Sequence, residues 1–411
     1  MSKKQGNKVK HILTRIKELE QQSGVKRTLL AVCPNSMAVI KAAIRAAKRN
    51  NAPIKFAATL NQIDLDRGYT GMTQYEFVKI INQEVKRYNY TGKVIIAVDH
   101  GGPWLKDIDR INNLNFEQTF ENVKKSLIAA VDAGYDMLHV DPTVDITLSE
   151  GQIISIETVA HRTVELISHV EKYRRQNNLP PIDYEVGTEE VHGGLADLEV
   201  FRNFFELLKS GLAERGLTDV WPIFVVAKVG TDLHTTEFDP QVAKEVVKIA
   251  AQYGSFIKGH YTDNVINPEA YPQTGMGGAN VGPEFTENEY DALIELEKIE
   301  IKHKEQIPVL SEIKDTIWKA VIESNRWKKW LLPHELGKDF YELERERQLW
   351  LIKTGARYIW AKPEVQVART KLYENLSNLG IDAPTIVLSR IEKSIDKYMR
   401  AFNLIDLNDL L

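Results

Sequence analysis

Eight short runs rich in β-branched and small apolar residues alternate with longer stretches whose apolar residues recur at helical spacing. No other feature constrains the possible fold as much. The runs lie at 29–34 (LLAVCP), 54–60 (IKFAATL), 93–100 (KVIIAVDH), 137–143 (MLHVDPT), 183–190 (DYEVGTEE), 221–230 (WPIFVVAKVG), 255–263 (SFIKGHYTD) and 277–284 (GGANVGPE). Stretches such as SMAVIKAAIRAAKRN and PQVAKEVVKIAAQYG between them read as amphipathic helices. This alternation argues for an α/β fold of parallel strands joined by crossover helices, and eight units is the number of a TIM (β/α)8 barrel. A doubly wound open sheet is the alternative. No GxGxxG follows the first run, which weakens the dinucleotide-binding version of that sheet.

After about residue 290 the pattern changes to long, charged, helix-favouring stretches that hold five of the seven tryptophans, Trp318, Trp327, Trp330, Trp350 and Trp360. Residues 1–28 are therefore read as an N-terminal arm and helix, 29–290 as the barrel, and 291–411 as a helical C-terminal extension packed on it. Aromatics at helical spacing usually fill a core; capping the barrel mouth and making a subunit contact are the other roles open to them. The 53 basic and 57 acidic residues nearly balance, so no global field points to nucleic acid or membrane. No apolar run approaches the roughly 20 residues of a membrane span, and the basic start lacks the apolar core of a signal peptide. Cys33 is the only cysteine, which excludes an internal disulfide or a multi-cysteine zinc site and fits a reducing cytosol. A cytoplasmic location is expected.

In a TIM barrel the chemistry gathers at the C-terminal ends of the strands. Those ends carry Cys33 and Asn35, Asn61, Asp99 and His100, His139 and Asp141, then Glu185, Glu189 and Glu190. Asp232 and His234, His260 and Asp263, and Asn280 and Glu284 complete the series. Half of the ten histidines (100, 139, 192, 234 and 260) lie at or just beyond these ends. Imidazole and carboxylate together form a ligand set for zinc, manganese, nickel or iron. His100 and His260 each follow an apolar run and are read as metal ligands. Glu189 competes with Glu190 for the carboxylate position, and His234 is a further candidate ligand. His139 lies inside its run, as a core or ligand-orienting histidine. Asp99 is read as a general acid/base or as the partner that holds His100, with Gly101 and Gly102 leaving room for a ligand.

Two glycine-bearing stretches add shape. DRGYTGMT (66–73) reads as a cover for a ligand or as a polar turn into the next helix. TGMGGANVGPEFT (274–286) offers backbone N–H groups to a phosphate. Lys228 and Lys258, inside their runs, either face substrate or bury their stems with the charge near a carboxylate. The chain contains no GxxxxGK[ST] P-loop and no kinase signature set.

RGYTGMT, VDHGGPW, HVDPT, YEVGTEE, GHYTDN and NVGPEFT, followed by ARYIWAKPEVQVARTKLYENL, occur in that order between about residues 30 and 375. Together they resemble the family of the class II tagatose-bisphosphate aldolase accessory subunit, which also includes sugar 4-epimerases acting on tagatose or on hexuronates such as tagaturonate. The resemblance implies a TIM barrel of class II aldolase type with a helical addition. It implies that Asp99–His100 is the acid–histidine pair of strand three, Glu189 the strand-five carboxylate and His260 the strand-seven ligand. It further implies His234 as an additional ligand and Asn280 as a substrate contact at strand eight. GTEEVHGG departs from the accessory pattern, in which a proline-containing stretch follows the glutamate.

A single metal site accounts for both activities of such a family. Once the C4 hydroxyl of a 2-ketose loses its proton, the C3–C4 bond can break and leave an enediolate. Release of the aldehyde is aldolase chemistry, and attack on its other face gives the C4 epimer. The site expected is therefore His100, Glu189, His260 and His234 on a divalent ion, with zinc first and manganese or nickel as alternatives. Asp99, Glu190 and Asp141 are the expected proton-transfer groups, and Asn61, His139, Asp263 and Asn280 are the expected substrate contacts. The partners expected are a ketose or ketose phosphate, together with either further copies of the chain or an aldolase catalytic subunit. The alternative to an enzyme is a non-catalytic subunit that stabilises such an aldolase.

Overall fold

The computed structural model describes residues 6–149, 152–187, 194–232 and 234–411. Among the described residues ten strands form: β1 Leu29–Val32, β2 Ile54–Thr59, β3 Val94–Gly101, β4 Met137–Val140, β5 Asp183–Gly187, β6 Gly194–Leu195, β7 Phe224–Val226, β8 Val229–Gly230, β9 Phe256–Gly259 and β10 Gly278–Val281. Eight of them close a parallel barrel in the order β1-β10-β9-β7-β5-β4-β3-β2. The two short strands, β6 and β8, pair antiparallel and tie the loop after β5 to the loop after β7. All eight predicted runs contain a barrel strand.

The strands read as near-continuous apolar runs because helices cover the outside while side chains fill the inside. β1 and β4 are buried at every position. Helix Met37–Arg49 shows how the outer ring is made. Ser36 caps it by accepting from the Val39 N–H, Val39, Ile40, Ala43 and Ala47 face the barrel, and Lys48 and Arg49 sit in the last turn. Each fully buried aliphatic or phenylalanine side chain contributes roughly 1.5–3 kcal/mol.

Helix Lys8–Ser23 closes the N-terminal end of the barrel. Its N-cap, Asn7, makes no side-chain cap bond. Asp183, the first residue of β5, does the capping instead, accepting from the Val9 N–H at 2.8 Å and the Lys10 N–H at 3.2 Å.

The expected boundary at 290 falls inside helix Pro283–Lys302, whose buried face runs on through Leu293 and Leu296. Beyond it, helices Ile313–Glu323 and Arg345–Gly355 with short 3-10 turns bring Arg326, Trp330 and Arg357 to the cavity at the strand ends. Helix Ala383–Ala401 returns along the outer ring against Met37–Arg49, with Arg45 and Arg49 paired to Glu392. Among the described residues no helix is long and apolar enough to cross a membrane.

Candidate active site

The end of β3 is irregular, and the irregularity aims its side chains. The β3–β4 ladder slips between Val98 and Gly101, and His100 has φ of 51°. Tyr261, next to His260 at the end of β9, has the same φ of 51°. A non-glycine residue in the left-handed region costs roughly 1–3 kcal/mol and marks functional sites. The two glycines that follow His100 serve packing rather than leaving room for a ligand. A Cβ on Gly101 would lie 2.7 Å from the His139 carbonyl oxygen, and one on Gly102 1.8 Å from that of Asp141. Strand β4 therefore passes too close for any side chain there.

Alternate positions along the strands point inward and build two layers. Asp99, His100, Asp141, His260 and Asn280 form a floor that opens on a cavity. Lys55, His139, Glu185 and Lys258 lie beneath it, each at most 2 % exposed. In the floor, His100 Nδ1 is 2.5 Å from Asp141 Oδ2, and the Thr143 hydroxyl donates to Asp141 Oδ1 at 2.6 Å. Asn280 Nδ2 donates to Asp99 Oδ2 at 2.9 Å. From below, Lys258 Nζ reaches Asp99 Oδ1 at 3.2 Å and pairs with Glu185. Lys55 Nζ is 3.3 Å from Glu185 Oε2. The ring centroids of His100 and His260 are 4.5 Å apart, and those of His100 and His139 5.1 Å.

Two ammonium groups thus face two carboxylates in the barrel interior. Burial acts to raise Asp99 and Glu185, but the surrounding groups together outweigh it, Lys258 first, then His100, His260 and His139 for Asp99 and Lys55, His139 and His260 for Glu185, and both are held well below the usual carboxylate range. Burial likewise acts to lower Lys258, which Asp99 and Glu185 reverse. Lys55 is lowered to about 8 by burial and by its neighbour Lys258. His260 is lowered to about 4 by burial and is neutral at physiological pH. His100 is raised, because Asp99 and Asp141 overcome its desolvation.

Several donors remain free. Among the described residues, His139 Nε2, both ring nitrogens of His260 and Asn280 Oδ1 are buried without a hydrogen-bond partner. Each unsatisfied buried group costs about 1–3 kcal/mol. Asp99, His139, Glu185 and His260 offer ligand atoms that all lie within 4.8 Å of one another, as do His100, His139 and Asp141. A neutral His260 ring with no hydrogen bond among the described residues, beside ionised carboxylates, suits a divalent cation.

The cavity above the floor measures about 530 Å³. Its far wall comes from the C-terminal segment, with Arg326, Lys329, Trp330, Arg357 and Tyr358. Asp107 carries Arg326 and Lys329. The Tyr69 ring, from DRGYTGMT, meets the Tyr358 ring edge-on at 5.1 Å, while Thr73 caps helix Gln74–Arg87. That stretch is both cover and helix start.

Residues 13–402 match the sequence family described as D-tagatose-1,6-bisphosphate aldolase subunit GatZ/KbaZ-like. The chain belongs to that family. Among solved structures, the GatZ/KbaZ-like chain is similar to a probable tagatose 6 phosphate kinase from Sinorhizobium meliloti 1021. Identity is 21%, with TM-score 0.76, 91% of this chain and 100% of that one covered. It is also similar to the fructose-bisphosphate aldolase of Campylobacter jejuni, at 12% identity and TM-score 0.58, covering 98% and 96%. The YdjI aldolase of Escherichia coli K12 follows at 9% identity and TM-score 0.50, covering 97% and 98%. At these identities the likeness shows the fold, a barrel shared with these two aldolases.

Of the predicted site residues, Asp99, His100, His139, Asp141, His260 and Asn280 converge in this GatZ/KbaZ-like barrel. Glu189 and Glu190, like His192, lie outside the described residues. His234 does not join the cluster. It is exposed on the cavity rim, its ring stacked on Trp350 at 5.0 Å, because the chain turns away at β8 before reaching it. Asn61 lines the cavity but ties two loops, donating to the Leu105 carbonyl at 2.7 Å and accepting from the Asp107 N–H at 2.9 Å. Asp263 also lines the cavity, and it takes the N–H groups of Gly282 and Glu284 at 2.9 and 2.8 Å. Those are the groups the glycine-rich stretch was expected to offer a phosphate. Lys258 buries its charge against carboxylates and does not line the cavity. Sequence reasoning passed over Lys55 and left Glu185 unassigned, although a lysine inside the apolar strand IKFAAT is the signal for a charge pointing into the barrel.

Proposed function

We propose that this protein is a divalent-metal-dependent enzyme acting at the C3–C4 bond of a ketose. It would work as a 4-epimerase (tagatose/fructose or tagaturonate/fructuronate) or as an aldolase-type lyase. The observation that supports this best is the convergence of three imidazoles with Asp99 and Glu185 beneath a sugar-sized cavity. Asp99, His100, His139 and His260 would hold the cation, zinc first by the donor set. When bound, it supplies a Lewis acid for the oxygens on C2 and C3.

The chain's own residues do the rest. Asp141 fixes the His100 ring, and Asn280 fixes Asp99. Asp99, held ionised by Lys258, is a weak proton acceptor, so the proton-transfer role assigned to it from sequence moves elsewhere. Asp263 is the better carrier. Burial pushes its carboxyl up to about 7, where a general acid/base is most effective. Its oxygen takes the C4 hydroxyl proton, the C3–C4 bond breaks, and its electron pair passes to the C2 oxygen as an enediolate. Rotation of the aldehyde and re-addition give the C4 epimer, and its departure gives lyase products.

Asp263→Asn keeps an acceptor for the Gly282 and Glu284 N–H groups but cannot carry a proton. Turnover is expected to fall about 10²–10⁴-fold. The folded carboxyl is raised from 3.8 to about 7. Its contribution to stability is therefore present below pH 3.8 and is lost as pH rises to about 7. The variant should flatten the fall in stability over that window relative to wild type, as read by urea denaturation at several pH values. Unchanged turnover would remove Asp263 from the mechanism.

A second reading has its own observation. Lys258 already compensates Asp99 and Glu185, which suits a non-catalytic subunit of a class II tagatose-1,6-bisphosphate aldolase that has replaced the cation by an ammonium. Turnover by the isolated chain supports the first reading, and activity only with an added aldolase subunit supports the second.

A further inference from the structure

Among the described residues, one cation in the cavity wall has no carboxylate counter-charge. Arg357 lies in the short turn Ala356–Tyr358, within ARYIWAKPE, and is 7 % exposed. A guanidinium carries five N–H donors and keeps its charge at any working pH. Arg357 makes a single side-chain hydrogen bond among the described residues, from Nη2 to the Tyr358 hydroxyl at 3.0 Å. No carboxylate oxygen of the described residues lies within 4.0 Å of it. Trp330 and Tyr358 pack on it with ring centroids 5.0 and 4.9 Å away. The other basic groups of the wall differ: Arg326 and Lys329 share Asp107, and Arg110 is exposed and donates to the Trp104 carbonyl.

A buried charge without a counter-charge costs several kcal/mol, and Arg357 is held by aromatic packing and the one bond to the Tyr358 hydroxyl while lining the cavity. Its field reaches the neighbours. Burial would raise the Tyr358 phenol, yet Arg357, Lys329 and Arg326 bring it below its ordinary value. The N-terminus of helix Pro283–Lys302, the anion-binding element nearest the floor in sequence terms, is taken by Asp263, which accepts from the Gly282 and Glu284 N–H groups.

We infer that Arg357 binds the anionic end group of the substrate, a phosphate monoester or a carboxylate, while the carbons that react lie on the Asp99–His100–His260 floor. The inference rests on the ketose reading above and narrows it to acidic ketoses. The C-terminal segment is then part of the site and decides between neutral and charged sugars.

Calorimetric titration of the full chain, supplied with zinc, with D-tagatose, tagaturonate and D-tagatose 1,6-bisphosphate tests this. Wild type is expected to bind at least one acidic ketose ten-fold or more tighter than tagatose, a span typical of hydrogen bonds to charged groups (roughly 10–100-fold). Arg357→Gln should erase that preference and Arg357→Lys retain part of it, and the preferred ligand tells phosphate from carboxylate. Equal affinity of wild type for neutral and acidic ketoses, or a preference that survives in Arg357→Gln, overturns the inference. If Arg357→Gln does not fold, phenylglyoxal labelling of Arg357 in wild type replaces it. Protection by the acidic ketose but not by tagatose supports the inference, and equal labelling overturns it. Charge-dependent binding without turnover of any ketose would leave the subsite standing while the enzyme reading falls.

Discussion

Lys258→Met is expected to destabilise the fold by about 3–5 kcal/mol, the cost of removing one partner from a buried charge pair. Methionine matches the length of the stem and adds no clash, so the effect isolates the charge. Asp99 and Glu185 would then face His139 and His260 with only Lys55 left as a fixed cation. In wild type both carboxyls are held well below their ordinary values. Their contribution is present above the unfolded carboxylate range and is lost only as pH falls through the depressed folded values. In the variant the sign reverses. Two poorly compensated carboxylates rise, and the variant recovers stability as pH falls. Urea denaturation at pH 5 and pH 8 reads this directly. A loss under about 1 kcal/mol, within the range of exposed pairs, at both pH values would mean that Lys258 is not the internal counter-ion.

The second large effect is on chemistry. His260→Ala removes a neutral imidazole whose two nitrogens make no hydrogen bond among the described residues and is expected to lower turnover about 10³-fold or more, corresponding to several kcal/mol of lost charge stabilisation. Asp141→Asn offers the contrast. It leaves every proposed ligand in place and only loosens the brace on His100, so about 10–100-fold is expected. The ranking carries the information. An Asp141→Asn loss equal to that of His260→Ala would mean that the dyad itself performs the reaction.

The barrel was legible because its strands are buried on both faces and its helices are amphipathic, so both periods stand out in the sequence. The floor was legible because Asp99, His100, Asp141, His260 and Asn280 lie at or next to the ends of such strands, and strand ends share one face of the barrel. What escaped depended on distance in the chain or on backbone packing. Phe224, Phe256 and Gly278 show nothing alone, yet a Cβ on Gly278 would press 3.2 Å from the Phe224 ring. Gly101 and Gly102 looked like space for a sugar because the nearness of β4 is invisible in VDHGG. His234 looked like Asp99–His100 in sequence, a polar pair after a strand, but the β6–β8 pairing redirects its loop. Arg357 was one basic residue among 53, and only the fold of the C-terminal segment over the mouth sets it apart.

The central claim is that the floor is a metal-assisted ketose site. It is tested most directly by elemental analysis of the purified chain after incubation with zinc, manganese or nickel, with NMR of product formed from tagatose, tagaturonate and D-tagatose 1,6-bisphosphate in the same samples. Stoichiometric metal, lost in His260→Ala, together with a C4 epimer or C3–C4 cleavage products is the expected result. No metal uptake and no turnover by the isolated chain, with activity arising only beside an aldolase catalytic subunit, would contradict it.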